Sequence, residues 1–294
     1  MSIFITGAKG QLGKSIIEEL KKKNYKYFAF SRSKVDITMF EKINLKLKKI
    51  KPSVVLNLAS YNDVDKAEKE PNLAFMVNTQ GVKNIAICCS ALNIPLIHIS
   101  TDYVFSGSLK KNHTCLDPVR PKGIYGLSKL KGEVAIKKFC RYFIIIRTSR
   151  LFSKYKNNFL NTIISLARKK NLIKVVNDQY SCPTSAESLA KAIVKIVPIV
   201  IKKKFSSKIY HYANKSACSW YEFAQEIVNL LFKKKIITKK KVIVIPISAK
   251  QHSTLFAKIR PKFSALDSTD FCKKFKIINP NWKQSLLKVI KSYK

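Results

Sequence analysis

Three residues in the stretch 98–129 have the types and spacing that proton-transfer chemistry needs. Thr101 supplies a hydroxyl, and Tyr125 and Lys129 form a Tyr-x-x-x-Lys pair. Positions four apart share one face of a helix, so the Lys129 ammonium can sit beside the Tyr125 phenol. A cation there stabilises phenolate and is expected to lower the tyrosine pKa, which turns a poor acid into a usable one. Thr101 follows the apolar run 95–99, a buried-strand pattern. Its hydroxyl is therefore expected at the carboxyl end of a strand, where open α/β sheets bind ligands. Taken alone, Tyr-x-x-x-Lys is more often an exposed helical pair than a catalytic one, so the elements around it decide.

Those elements alternate. Residues 2–6 read as a strand, Gly7-Ala-Lys-Gly10-Gln11-Leu12-Gly13 as a turn, and 14–23 as a helix. In such a turn the first glycine permits the tight bend and the second lets a diphosphate reach the backbone. The third allows close helix–strand packing, and the phosphates meet the helix N-terminus. All eight glycines lie at or before Gly132, so three within seven residues point to a backbone requirement. A second strand, 25–30, ends in Ser31-Arg32-Ser33. An acid here would bind the ribose 2′-hydroxyl of NAD, whereas Arg32 can accommodate a 2′-phosphate; it tilts the reading toward NADPH, with NADH as the alternative and one more solvent cation as the plain account. Asp36 and Ile37 then begin the next turn, near the adenine.

The continuous apolar run 53–59, ending at Ala59, reads as a buried parallel strand leading into a polar loop with Asp63, Val64 and Asp65. Residues 72–92 carry a helical repeat, 126–139 a helix after Tyr125, and 143–147 another central strand. This alternation predicts a Rossmann-type, doubly wound parallel α/β sheet. Further on, a helix is expected at 159–169, a strand at 173–176, a loop at 178–184, a helix at 185–196 and a strand at 209–213. Ser219 can cap a helix running to Phe232, a strand follows at 242–246, the basic turn 258–262 comes next, and a final helix spans about 282–293. The expected division is a cofactor domain of 1–150 plus about 173–213, with 151–172 and 214–294 forming a smaller C-terminal substrate-binding lobe.

The chain has 294 residues, 46% of them hydrophobic, enough for one large core or two smaller ones. A net charge of +40 raises a nucleic-acid hypothesis. Yet only seven of the 57 basic residues are arginine, the residue whose planar fork reads bases, and no nucleic-acid-binding motif is present. The lysines fall in runs such as 21–23, 202–204, 233–235 and 239–241, which read as solvated helix ends and loops. No specific nucleic-acid partner is expected, although a broadly positive field would also attract an anionic cofactor and substrate. Seven cysteines without a C-x-x-C pair, and four scattered histidines, argue for reduced thiols and no zinc site. Nothing resembles a targeting or membrane segment, and 190–201 is broken by Lys191, Lys195 and Pro198, so a cytoplasmic protein is expected.

Nearly the whole chain carries a more specific pattern. It comprises Gly7–Gly13, Asp63-Val-Asp-Lys-Ala-Glu68, Val77-Asn78, Ser100-Thr-Asp-Tyr-Val-Phe105 and Tyr125-Gly-x-Ser-Lys129 with Gly132-Glu133. Arg147-Thr-Ser149, Asn158-Phe159, Asp178-Gln179 with Pro183-Thr184, Ser219-Trp220 and Arg260-Pro261 complete it. In this order the set resembles the extended short-chain dehydrogenase/reductase superfamily and, within it, the dTDP-4-dehydrorhamnose reductase family. The resemblance implies reduction of the C4 ketone of dTDP-4-dehydro-L-rhamnose with NAD(P)H, for dTDP-L-rhamnose biosynthesis. Tyr125 would protonate the developing alkoxide, Thr101 would hydrogen-bond the same oxygen, and Lys129 would hold the nicotinamide ribose and depress the Tyr125 pKa. Asp102, Tyr103 and the loop Asp63, Val64 and Asp65 would line the sugar, with Trp220 and Arg260 toward the nucleotide half. For Trp220 a buried anchor is the plainer reading; for Arg260 phosphate binding stands slightly ahead.

Related sugar-nucleotide 4,6-dehydratases carry Thr-Asp-Glu where this chain has Thr101-Asp102-Tyr103. Elimination of water needs that extra acid, and Tyr103 replaces it. Another NDP-4-keto-6-deoxysugar reductase or epimerase, and a non-catalytic regulatory member of the family, are the alternatives. Two departures stand out: Arg150 occupies a position where the family commonly has an aromatic residue, and Gly123 one where it has Asn, which would loosen the loop holding Tyr125. Some members use Mg²⁺ with acidic residues at a dimer contact. Lys14-Ser15 offers no carboxylate there, so Mg²⁺ and that style of homodimer stay open.

Overall fold

In the computed structural model, all residues except 109, 110, 204, 206, 238–241, 252–258 and 294 are described. Lys204, Lys239, Lys240, Lys241 and Lys258 of the basic runs and turn lie outside the described residues. The chain begins β1 (Ser2–Thr6), α1 (Gln11–Lys22), β2 (Lys26–Ala29), α2 (Phe40–Ile50), β3 (Val54–Asn57), α3 (Val64–Lys69) and α4 (Pro71–Phe75). A π-helical turn, Met76–Gly81, joins α4 to α5 (Val82–Ala91), followed by β4 (Leu96–Thr101), α6 (Ile124–Phe139) and β5 (Phe143–Thr148). Then come β6 (Leu151–Phe152), α7 (Phe159–Lys169), β7 (Leu172–Val176), β8 (Tyr180–Ser181), β9 (Thr184–Ser185), α8 (Ala186–Ile201) and β10 (Lys208–His211). The chain closes with β11 (Cys218–Ser219), α9 (Trp220–Lys233), β12 (Ile243–Ile247), α10 (Thr269–Phe275) and α11 (Trp282–Ile290).

Six strands form one sheet in the order β10-β5-β4-β3-β1-β2, every neighbouring pair parallel. The four inner strands carry near-continuous Ile, Val, Leu and Phe because both faces are covered. Leu12, Ile16 and Leu20 of α1 pack with α8 on one face. Ile43 and Leu47 of α2, with α5 and Ile136 of α6, cover the other. This is the doubly wound sheet expected from the alternation. Its strand order reverses between β1 and β3, so a crevice opens at their carboxyl ends.

A second cluster forms the lobe. β7 and β12 pair in parallel, and α7, α9 and α11 pack around them through Leu160, Ile163, Phe223, Ile227 and Trp282. Ile173 and Val175 belong to this cluster, whereas Phe271 and Phe275 of α10 join the sheet's cluster, each opposite to the division expected from sequence. The pairing of β7 with β12, some seventy positions later, carries no local signal. The helix expected at 185–196 runs on to Ile201 through Pro198, which has no N–H to give the Val194 carbonyl. The region 178–184 is not a plain loop: β8 pairs with β11 and β9 with β6, stitching lobe to sheet.

Buried polar pairs fix the helix that carries Tyr125 and Lys129. Glu133 of α6 receives Arg147 Nε at 2.9 Å, Arg147 Nη2 at 2.6 Å and Ser100 Oγ at 2.5 Å. Asn78, in the π-helical turn, uses its whole amide: Oδ1 accepts from Ser60 Oγ and Tyr61 N, and Nδ2 donates to Tyr61 O and Ser128 Oγ, all within 2.8–3.0 Å. Gly132 lets α6 approach this turn, since a Cβ there would lie 2.2 Å from the Asn78 carbonyl. Replacing Asn78 by Leu orphans the Tyr61 N–H, at about 1–3 kcal/mol, and leaves the Tyr61 C=O only its longer bond from Ser60 Oγ. Urea denaturation of Asn78→Leu should therefore show a loss of roughly 1–3 kcal/mol; an unchanged midpoint would contradict this account of the turn.

Candidate active site

The crevice at the strand-order reversal is a cleft of about 260 Å³ lined on one side by Gly7, Gly10, Gln11, Leu12 and Gly13. Thr101, Asp102, Tyr103, Tyr125 and Lys129 form the opposite wall, and Arg150, Gln179 and Trp220 close it from the lobe side. An adjoining cleft of about 450 Å³ shares Gly7 and Gly10 and is lined by Arg32, Asp36, Ile37 and Ala59. The glycine turn thus joins two halves of one elongated site.

Gly7 adopts φ +65°, and a Cβ there would meet Leu58 and Ala59 main-chain atoms at 2.7 Å. At Gly13 a Cβ would lie 2.7 Å from the Ala8 and Gly7 carbonyl oxygens. These two glycines are needed by the fold itself, whereas Gly10 meets only the Gly7 carbonyl, at 3.1 Å, and is open toward both clefts. α1 starts at Gln11, earlier than the expected residue 14, without a side-chain cap or an acid in its first turn. Its free N–H groups and partial positive charge suit a diphosphate. Gln11 is held by bonds to Leu151 O (3.3 Å) and from Ser153 Oγ (3.1 Å). Arg32 is largely exposed, and its Nε donates to Asp36 Oδ2 at 3.1 Å, while Asp36 Oδ1 accepts from Thr38 N and Oγ1. Burial is the largest influence on Asp36 and opposes ionisation, but the bonds from Thr38 and Arg32 outweigh it and hold the carboxyl below its usual range. Thr148 Oγ1, buried at the end of β5 against the cleft, has no hydrogen-bond partner among the described residues. A dinucleotide cofactor therefore fits this chain: open amides for its phosphates and an unspent hydroxyl deeper in.

On the opposite wall Tyr125 lies in the first turn of α6, with Thr101 near enough to its hydroxyl to favour the phenolate. Thr101 Oγ1 also donates to Asp102 Oδ1 and accepts from Tyr103 N, both at 3.2 Å. The ring of Tyr103 meets that of Tyr125 edge-on, with centroids 5.6 Å apart. Lys129 Nζ donates to Ile99 O at 2.7 Å and lies 3.5 Å from His98 Nε2. The expected lowering of the Tyr125 pKa by Lys129 is not found. Burial raises the phenol well above its ordinary value, and Asp102 and Tyr103 add to that rise against the influence of Thr101. Burial also lowers Lys129 to about 8, against an opposing pull from Glu133. The physical reason is that the ammonium turns to the Ile99 carbonyl rather than to the phenol.

Other expected residues sort differently. Of the stretch 63–65 only Val64 faces the main cleft. Asp63 caps α3, accepting from Lys66 N at 3.0 Å, so this stretch is a helix start rather than the expected loop. Asp65 accepts from Arg260 Nη2 at 2.6 Å, and Arg260 lines a small side cavity with Tyr103 and Gly123 instead of the main cleft. Trp220 is both wall and anchor: it lines the cleft and packs against Phe159 at 4.5 Å. Asp102 is buried, and Ser149 Oγ (3.0 Å) and Ser264 Oγ (2.5 Å) donate to its Oδ2. Burial still raises its pKa.

The two departures acquire partners. At Gly123 a Cβ would lie 2.6 Å from Glu68 Oε1, which instead caps α6 through Ile124 N at 2.6 Å. The expected loosening is absent because Glu68 does the work of a capping side chain. Arg150, in a left-handed backbone conformation, stacks its guanidinium 3.6 Å from the Trp220 ring centre and donates to Cys218 O and Gln179 O. Its place in the cleft was marked in sequence only by its departure from the family pattern; Thr148, also a cleft residue, lay within the motif Arg147-Thr-Ser149 without an assigned role, and Ser264 had no marker. Among the described residues, no three His, Cys, Asp or Glu side chains gather where they could hold a metal ion, and no helix is long and apolar enough to cross a membrane.

Known proteins share this arrangement. The model of the RmlD substrate binding domain family matches residues 1–294. A dTDP-4-dehydrorhamnose reductase of Aggregatibacter actinomycetemcomitans is 35% identical over 99% of this chain and 98% of its own length. The chain belongs to the dTDP-4-dehydrorhamnose reductase family. The crystal structure of such a reductase from Bacillus anthracis, in complex with NADP, superposes with a TM-score of 0.90 at 34% identity, covering 99% of this chain and 98% of that one. One from Clostridium acetobutylicum gives 0.89 at 35% identity, with 99% of each chain covered. A UDP-glucose 4-epimerase from Thermus thermophilus, at 14% identity and TM-score 0.82, shares the fold.

The raised Tyr125 pKa has a direct consequence in the cofactor-free protein. An ultraviolet difference titration of wild type against Tyr125→Phe should place the Tyr125 ionisation later than that of ordinary tyrosines; a phenolate already present near neutral pH would contradict the assignment of burial as the dominant influence.

Proposed function

We propose that the protein reduces the C4 ketone of dTDP-4-dehydro-L-rhamnose to dTDP-L-rhamnose with NADPH. The observation that carries this reading is that Thr101, Tyr125 and Lys129 line the same cleft as an uncapped helix N-terminus. The dinucleotide would lie along Arg32, Asp36, Ile37 and Ala59, cross the turn Gly7–Gly13 with Gln11 and Leu12, and end beside Lys129. Bound there, it supplies the hydride that C4 takes up.

The side chains then handle the proton and the pose. Thr101 and Tyr125 together position the ketone oxygen, and as the C=O electron pair moves onto that oxygen Tyr125 gives up its proton to it. A phenol held well above its ordinary pKa stays protonated until the alkoxide, a stronger base still, forms. Lys129, with donors to spare beyond Ile99, holds the nicotinamide ribose. Tyr103, Val64, Trp220 and Arg150 shape the sugar end. Asp102 has its carboxylate engaged by Thr101, Ser149 and Ser264, so it supports the wall instead of serving as a free acid. That, with a phenol at position 103, favours reduction over elimination of water. Asp63, Asp65 and Arg260 act on the sugar nucleotide indirectly, Asp65 and Arg260 by propping Tyr103 from its far side. A cytoplasmic setting accords with seven free thiols.

The decisive assay is NADPH consumption on dTDP-4-dehydro-L-rhamnose. Tyr125→Phe should lower kcat by about 10²–10⁴ while NADPH binding survives; full turnover in that variant would overturn the role of Tyr125. Arg32→Ala tests the cofactor separately. It should raise the KM for NADPH about tenfold, the scale of one partly exposed charge-assisted bond, and leave that for NADH nearly unchanged. Equal effects on both cofactors would remove the 2′-phosphate contact from this reading.

A further inference from the structure

Behind the catalytic wall runs a chain of four buried polar side chains, Thr6, Asn57, His98 and Lys129, of which the reaction above uses only the last. Thr6 Oγ1 accepts two main-chain bonds, from Leu58 N and Ala59 N, both at 3.2 Å. Its single proton therefore goes to Asn57 Oδ1, 2.6 Å away. That fixes the Asn57 amide, whose NH₂ end faces His98 Nδ1 at 3.0 Å. Nδ1 must accept, so the one proton of a neutral imidazole sits on Nε2. Nε2 in turn lies 3.5 Å from Lys129 Nζ.

The opposite tautomer is disfavoured by the side-chain bonds. A proton on Nδ1 would confront the Asn57 NH₂, and turning that amide around would give Thr6 Oγ1 a third donor and leave its own hydroxyl without an acceptor. We propose that His98 is a positioning residue, locked as the Nε2–H tautomer, whose proton points at Lys129 and sets how readily that lysine takes up and releases its own. An N–H aimed at Nζ is met favourably by the lone pair of an amine and unfavourably by an ammonium. The ionisable groups around Lys129 are His98 from β4, and Tyr125 and Glu133 one turn either side on α6; Glu133 is engaged by Arg147 and Ser100. Of these, only His98 presents a fixed donor. Burial keeps the imidazole neutral, its pKa lying well below the ordinary value; the Lys129 charge pushes the same way, and the Asn57 main chain opposes both without reversing them. Thr6 adjoins Gly7, so the chain of bonds also ties the turn that would seat a diphosphate to the lysine that would seat the ribose.

The tautomer follows from hydrogen bonding within the protein and rests on the proposed reaction only for its kinetic consequence, so its test does not need the substrate. In the full-length protein, the ¹⁵N spectrum of His98, assigned by loss in His98→Gln, should show a protonated Nε2 and an unprotonated Nδ1 across the neutral range. A protonated Nδ1 would overturn the proposal. The Lys129 side-chain titration, read by NMR against Lys129→Met, supplies the second arm. His98→Phe, which removes the donor, should move it upward by about one pH unit, a tenfold change in proton affinity. Asn57→Asp, whose carboxylate accepts from Nδ1–H and so leaves Nε2 as the acceptor, should move it upward as far or further. His98→Gln accepts from Asn57 through its oxygen and points its NH₂ at Lys129, so it should titrate as wild type does. Identical Lys129 titrations in wild type and folded His98→Phe would refute the coupling, whether or not the protein turns over the keto sugar nucleotide.

Discussion

The site depends on one fully satisfied amide. Asn78 sits in a π-helical turn and spends all four of its hydrogen-bonding positions on the loop after β3 and on α6. A π-turn is a local irregularity that helices tolerate where a side chain must be aimed. Here it aims an amide at two elements that share no backbone bonds. Because Gly132 brings α6 to within contact of that turn, the tyrosine and lysine on α6 take their height above the sheet from Asn78 and their rotation from the Glu133–Arg147 pair. Buried polar networks of this kind add little net stability but penalise any arrangement that leaves a member unpaired. A unique placement of α6 is what proton transfer over a few tenths of an ångström requires.

Acids are scarce in this chain, 17 against 57 Lys and Arg, and their placement shows economy. Glu133 neutralises Arg147, Asp65 holds Arg260, Asp36 holds Arg32, Glu68 caps α6, and Asp102 gathers three hydroxyls. Such an excess of lysine outnumbers the acids that could pair with it and is tolerated on the surface, where each added charge costs little in water. Arg150 is the exception: a guanidinium within the cleft wall, stacked on Trp220, with no carboxylate within ion-pair reach among the described residues.

Much of this was legible in the sequence. Hydrophobic periodicity marked the sheet strands and α7, because both depend on local pattern: continuous apolar runs for strands covered on two faces, a 3.6-residue repeat for a helix with one. Glycine spacing located the turn because Gly7 and Gly13 are enforced by close main-chain contacts. What escaped was non-local. The partner of β7 lies beyond inserted helices and strands, the cap on α6 comes from Glu68, and the direction of the Lys129 ammonium is set by a carbonyl on β4. The Tyr125–Lys129 spacing placed the two on one face correctly, but spacing says nothing of burial, and burial decided the sign of the tyrosine shift.

The interleaving of sheet and lobe has a consequence for how the chain is made. β5 gains its outer neighbour, β10, only when residues 208–211 are reached, after α7, β7 and α8 have passed. During synthesis from the N-terminus, β1 to β5 can assemble while the outer edge of β5, a strongly apolar strand, stands open. The lobe cannot close either until β12 finds β7. The growing chain therefore passes through a long interval in which the apolar outer edge of β5 is bare, while a net charge of +40 makes such chains repel one another.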